Sequence, residues 1–137
     1  VQAGARVHLV ARRPENARAL RARLPARRRA RVTVAAWTPA ALGKALTDAH
    51  VLISAVPADA WQTPIARAGL GTLRRNAAVV EMAYGKNTPL GQAVRKRVTR
   101  YQDGLPMLVH QAARAIELAV GRKPPPDPLL RAARKQP

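Results

Sequence analysis

His50-Val-Leu-Ile-Ser-Ala-Val56, HVLISAV, is apolar without a break except for its first residue and one serine. A strand with one wet face alternates polar and apolar residues, so an unbroken run reads as a strand buried on both faces, as in a parallel sheet. The pattern extends in both directions. Upstream, Arg6–Ala11 (RVHLVA) is strand-like, and Pro14–Leu24 carries helix formers with Pro14 suited to a first helical position. Arg31–Ala36 (RVTVAA) is a second strand, after which Thr38 caps and Pro39 opens a short helix to about Leu46. Downstream, Thr63–Leu70 reads as a weak helix or turn and Ala77–Ala83 (AAVVEMA) as another buried strand. Thr88 and Pro89 then cap a helix to about Arg97, and Val98–Gln102 is a short last strand.

Strands alternating with helices along the whole length predict an α/β fold, a partial Rossmann-like doubly wound parallel sheet with C-terminal helices. In such a sheet ligands sit outside the carboxyl ends of the strands. The stretches to weigh are therefore Ala11–Arg13, Ser54–Pro57, Met82–Tyr84 and Asp103–Met107.

The last of these opens DGLPMLVHQAARAIELAVG, Asp103–Gly121. Asp103 and Gly104 make a turn, Pro106 suits the first helical turn, and Gly121 stops the helix. Leu105, Leu108, Val109, Ala112, Ala115, Ile116, Ala119 and Val120 recur at helical spacing, which predicts a core-facing stripe. Gln111 is expected as an inward-facing amide in that stripe. The plainer reading is a core helix whose glutamine meets solvent. Residues 1–121 are expected to form the main domain and residues 122–137 a Pro-rich linker with a basic helix, Leu129–Lys135.

At 137 residues the chain suffices for one modest domain, and the absence of cysteine removes disulfides and thiolate metal sites. His8, His50 and His110 show no metal-ligand spacing, and no metal is expected. No apolar run is long enough to span a bilayer, so a cytoplasmic protein with no membrane partner is the default expectation. The chain begins at Val1, which reads as a piece of something longer. The formal charge of +18 is an electrostatic footprint of nucleic-acid binders. Arginine far outnumbers lysine, as GC-rich codons would produce, and the densest cluster, Arg21–Arg31, contains no aromatic residue to stack on bases. Nucleic acid is thus not the expected partner, and a basic nucleic-acid-binding module stands as the rival reading. Seven acidic residues, scattered, offer little for acid-base chemistry.

Ala11, Arg12 and Arg13 close the first strand, where NAD-preferring folds place a carboxylate on the ribose 2′-hydroxyl. Arginine forks would clamp a 2′-phosphate instead, which points to NADP. Arginine is so common here that the pair also arises by composition. The ribose-reading position lies ~20 residues beyond the Gly-rich phosphate loop, so that loop is expected before Val1. Tyr84 sits at a strand tip, where its phenol could bond a hydroxylated or carboxylated ligand or simply meet solvent.

Together these segments resemble the C-terminal half of shikimate dehydrogenases. Glu81-Met-Ala-Tyr84-Gly-Lys-Asn-Thr88-Pro89 resembles one family motif; Asp103-Gly-Leu-Pro-Met-Leu108 with Gln111-Ala-Ala113 resembles another and carries most of the weight. The resemblance implies an NADP-dependent oxidoreductase interconverting 3-dehydroshikimate and shikimate, in the pathway to chorismate and aromatic amino acids. It implies cofactor contacts at Ala11, Arg12, Arg13, Met82, Gly104 and Met107, and shikimate contacts at Tyr84 and Gln111. Of the family's Asn-Arg-Thr at the first of these sites only Arg12 is identical. Ser54-Ala55-Val56 replaces the family's Asn-Ala-Thr and Pro106 a turn glycine, so a divergent quinate- or shikimate-using paralogue is a further alternative. The family's catalytic lysine and aspartate belong to an N-terminal substrate domain outside this sequence. No residue here takes their role, and the chain alone is expected to be inactive, with weak or absent NADPH binding. In the strand order 3-2-1-4-5-6 the absent first strand would lie between the first and third strands seen here.

Overall fold

Five short strands form where the apolar runs predicted them, and all of them pair in parallel. The computed structural model describes residues 4–85 and 87–135. β1 (Val7–Ala11) pairs with β2 (Val32–Ala36), Val7 opposite Val32 and Ala11 opposite Ala36. β3 (Val51–Ser54) pairs with β4 (Ala78–Glu81), Ser54 opposite Glu81, and β4 pairs with β5 (Arg100–Gln102), Val79 opposite Tyr101. The result is two sheets, β1-β2 and β3-β4-β5. The α/β parallel architecture is as expected, and among the described residues β1 and β3 are not paired with each other.

The chain divides into two compact units, Val1–Ala49 with Gln62–Arg74, and His50–Trp61 with Arg75–Pro137. The first holds β1, α1 (Pro14–Ala22), α2 (Ala26–Arg29), β2, α3 (Pro39–Thr47) and α4 (Pro64–Leu70). Arg21 fastens α1 to the sheet, its Nε donating to the Val32 carbonyl at 2.6 Å. Thr38 and Thr63 cap α3 and α4, each hydroxyl accepting the backbone N–H three residues on, with proline at the first turn. The two helices pack through Leu42, Leu46, Ala66 and Leu70, all buried. Burying each leucine contributes about 2 kcal/mol. Gly69 is what lets them approach, because a Cβ there would stand 2.6 Å from Leu42 Cδ2.

The second unit holds β3, β4, β5, α5 (Pro89–Val94), α6 (Leu105–Val120) and α7 (Pro126–Lys135). Its core comprises Ala77, Val79, Leu90, Val94, Val109 and Ala113. Thr88 caps α5, and α6 ends on Gly121 in the left-handed region at φ 70°, its N–H bonding the Glu117 carbonyl at 2.9 Å. α7 packs on α6. A 3-10 turn, Ala58–Gln62, was not foreseen; it buries Trp61, whose Nε1–H donates to Ser54 Oγ at 2.7 Å.

Four expectations need correction. β3 is not buried on both faces: Val51 is 54% and Ile53 60% exposed, because these two, spaced by two residues, share the one face that is left uncovered. The α6 stripe is narrow. Only Val109 and Ala113, one turn apart, are buried, while Leu108, Ile116 and Val120 are exposed. α5 stops at Val94 rather than Arg97, since the next residues fold into a turn closed by Arg97 N–H on the Val94 carbonyl. α7 begins at Pro126, three residues before the expected Leu129. No helix among the described residues is long and apolar enough to cross a membrane.

Candidate functional site

In the first unit the carboxyl end of β1 runs directly into α1. Ala11, Arg12 and Arg13, with Asn16 and Ala17 from the first turn of α1, line an open concavity of about 600 Å³. Arg13 is the residue before the helix, and its side chain makes no cap hydrogen bond. Both guanidiniums are exposed, and among the described residues no ion pair engages either. The N-terminus of α1 adds the positive end of a helix dipole, while Glu15 contributes the one carboxylate of that turn. Such a strand tip suits a phosphate group on its donor chemistry. Asn16, which sequence reasoning missed, belongs to this lining; its position three residues after Arg13, on the first helical turn, was the available signal.

In the second unit the backbone leaves β4 through Met82, whose N–H donates to the Ser54 carbonyl at 2.8 Å. The Gly104 N–H donates to the Ala83 carbonyl at 3.0 Å, and a Cβ on Gly104 would overlap the Met82 carbonyl oxygen. Two expected cofactor residues, Met82 and Gly104, are therefore in contact. Gly104 has an ordinary φ of −74°, so space rather than backbone conformation requires glycine. Asp103 Oδ1 accepts the Leu105 N–H at 3.2 Å, which makes its role helix entry. Met107 and Gln111 lie four residues apart on α6 and so share one face. Tyr84 is 58% exposed beyond the end of β4.

Gln111 does not face inward. It is exposed, and the reason is angular: at 100° per residue it stands about 200° from both Val109 and Ala113, the buried line of α6. The amide is free to meet a ligand from outside but is not held in a core.

Behind Met82 lies a polar cluster that the sequence did not disclose. Glu81, the last residue of β4, has no exposed surface, and its Oε2 accepts from Thr88 Oγ1 at 2.6 Å and from the Tyr101 hydroxyl at 2.7 Å. Its Oε1 is buried with no hydrogen-bond partner. Burial pushes the Tyr101 phenol pKa up, Thr88 and Arg95 pull it partly back, and Glu81 raises it further. The Arg95 guanidinium stands 4.7 Å from the Tyr101 ring centroid. The one available signal was an acid inside the apolar run AAVVEMA, because a buried carboxylate demands donors.

Parallel strands, connecting helices and arginines at a strand tip define a chain of the Rossmann-like α/β class. Comparison with known proteins narrows the class. Residues 104–134 match the family model described as the Shikimate 5'-dehydrogenase C-terminal domain. The chain is 38% identical over 128 residues to a shikimate dehydrogenase (NADP(+)) of Nitrobacter hamburgensis, covering 93% of this chain and 43% of that protein. A second, from Nitrobacter winogradskyi, is 37% identical and also aligned over 93% of the chain and 44% of its own length. Among solved structures, shikimate dehydrogenase of Mycobacterium tuberculosis superposes with a TM-score of 0.74 at 29% identity, over 94% of this chain and 48% of that one. The enzyme of Thermus thermophilus, solved with shikimate, gives 0.67 at 26% identity, over 98% and 46%. Over nearly its whole length the chain is similar to the C-terminal part of shikimate dehydrogenases. It spans less than half the length of these relatives.

Proposed function

We propose that this chain is the cofactor-side portion of an NADP-dependent shikimate dehydrogenase, the enzyme that interconverts 3-dehydroshikimate and shikimate. NADPH would supply the hydride. Arg12 and Arg13 would hold the adenosine 2′-phosphate through bidentate, charge-assisted hydrogen bonds, beside Ala11 and within the concavity at the end of β1. Met82, Gly104 and Met107 would border the nicotinamide, and Tyr84, beyond the end of β4, and Gln111, on the exposed face of α6, would bond substrate hydroxyl or carboxylate groups. No residue of the chain is assigned to proton transfer, so the chain alone is inactive in this reading, and its activity depends on an N-terminal substrate domain.

The observation that carries the reading is the pair of exposed guanidiniums over a concavity at the β1 tip, in a chain aligned over nearly its full length with NADP(+) enzymes. A chimera tests it. This chain would replace the aligned portion of the Nitrobacter hamburgensis enzyme, and shikimate-dependent NADPH formation would be followed by absorbance. Arg12→Gln should raise KM for NADP about tenfold or more and leave KM for NAD unchanged, consistent with removal of one charge-assisted bidentate pair. Tyr84→Phe and Gln111→Ala should raise KM for shikimate. An active chimera indifferent to all three changes would refute the assignment.

A further inference from the structure

The cofactor reading leaves most of the chain's positive charge without a role, and the densest stretch of it lies in the first unit. Between Arg12 and Arg31 the sequence holds nine arginines and one acid, Glu15; the next acid is Asp48. Arg21 and Arg31 have structural duties, Arg21 on the Val32 carbonyl and Arg31 on the Gly4 carbonyl. Those bonds flank the stretch that runs from the end of α1 through α2. Arg23, Arg27, Arg28 and Arg29 project between them, all exposed, and no ion pair among the described residues neutralises them. α2 is a single turn about 6 Å long, closed by the Arg28 and Arg29 N–H groups on the Pro25 carbonyl.

We infer that this arginine turn is a docking surface for double-helical nucleic acid, contacted through its phosphates. The inference is independent of the dehydrogenase reading. Successive residues of a helical turn are 100° apart, so the guanidiniums of Arg27, Arg28 and Arg29 fan over about 200°. A small anion meets one or two of them, whereas the two phosphate-lined walls of a duplex groove meet all. Each guanidinium that neutralises a phosphate releases counterions, which gives binding without base recognition. No aromatic residue lies between Arg12 and Ala36, so the stacking that single strands require is absent, and a duplex backbone is the polyphosphate that fits. The lack of aromatics that counts against base recognition leaves this mode untouched.

The test is fluorescence anisotropy of a labelled DNA duplex of about two helical turns with the 137-residue chain across a salt series. Replacing Arg23, Arg27, Arg28 and Arg29 by glutamine should lower the slope of log K against log salt by about 3 to 4, at ~0.9 for each phosphate no longer neutralised. A control removes the same charge elsewhere, at Arg122, Lys123, Arg131 and Lys135, all exposed, and should keep the slope within about one unit of the wild type. Lysine at the four cluster positions should largely preserve it, which separates charge from misfolding. Equal reductions in cluster and control variants would overturn the inference, because binding would then follow net charge alone. So would absence of duplex binding, or binding through the cluster to anionic vesicles but not to duplex.

Discussion

Gly104 meets Met82 main chain to main chain: the space that a Cβ at 104 would need is occupied by the Met82 carbonyl oxygen. A carbonyl at the end of a paired strand cannot swing aside as a side chain can. Gly104→Ala should therefore destabilise the fold by about 2–3 kcal/mol, the upper part of the range for overpacking a rigid site. Urea denaturation followed by far-UV circular dichroism measures it, and a midpoint unchanged in Gly104→Ala would contradict the close approach.

The Glu81 cluster predicts a graded series. Tyr101→Phe removes one donor to Glu81 Oε2 and should cost about 1–2 kcal/mol. Thr88→Ala removes both a donor and the α5 cap, whose oxygen accepts the Gly91 N–H at 3.2 Å, and should cost about 2–3 kcal/mol. The order of thermal midpoints should be wild type, Tyr101→Phe, Thr88→Ala; a reversal would show that Thr88 serves neither purpose.

The Tyr101 phenol fixes an alkaline limit. Its folded pKa lies above the ordinary 10.0, chiefly through burial, so the folded state holds the proton after the unfolded chain releases it. The stabilisation is fully present below about pH 10 and is lost as pH rises through the folded value. Urea midpoints of wild type should fall above that pH more steeply than those of Tyr101→Phe. Parallel declines would place the alkaline transition elsewhere.

The unpaired side of β3 predicts self-association. Val51 and Ile53 are more than half exposed, and among the described residues β3 is paired along one edge only, the arrangement that templates pairing with another chain. Ile53→Lys should reduce the weight-average mass in sedimentation at high concentration, at a stability cost below about 1 kcal/mol for an exposed position. Wild type remaining monomeric at the same concentration would defeat this.

Much of the fold was legible because apolar runs and threonine-proline caps are local signals. RVHLVA, RVTVAA and AAVVEMA each hold a strand, and Thr38 and Thr88 each cap a helix. What was not legible depends on what lies across from a residue. HVLISAV reads as buried from either side, yet Val51 and Ile53 are exposed because burial needs a neighbour that no local pattern supplies. Gln111 followed the same logic, since α6 buries only the line through Val109 and Ala113. At the candidate site the strand-tip arginines and the Asp103-Gly104 turn were readable from spacing. The Glu81, Thr88 and Tyr101 cluster was not, because its members come from three separate segments and meet only after the second sheet forms.

The two compact units also interleave along the chain, which passes from one to the other at 49/50, 61/62 and 74/75. During synthesis the first unit cannot be completed until residue 74 has left the ribosome, by which time β3 and the Trp61 turn of the second are already made. A protease cutting once within 50–61 would leave two products, each holding pieces of both units. Neither unit can be expressed by simple truncation; isolating one requires rejoining its segments with a new linker.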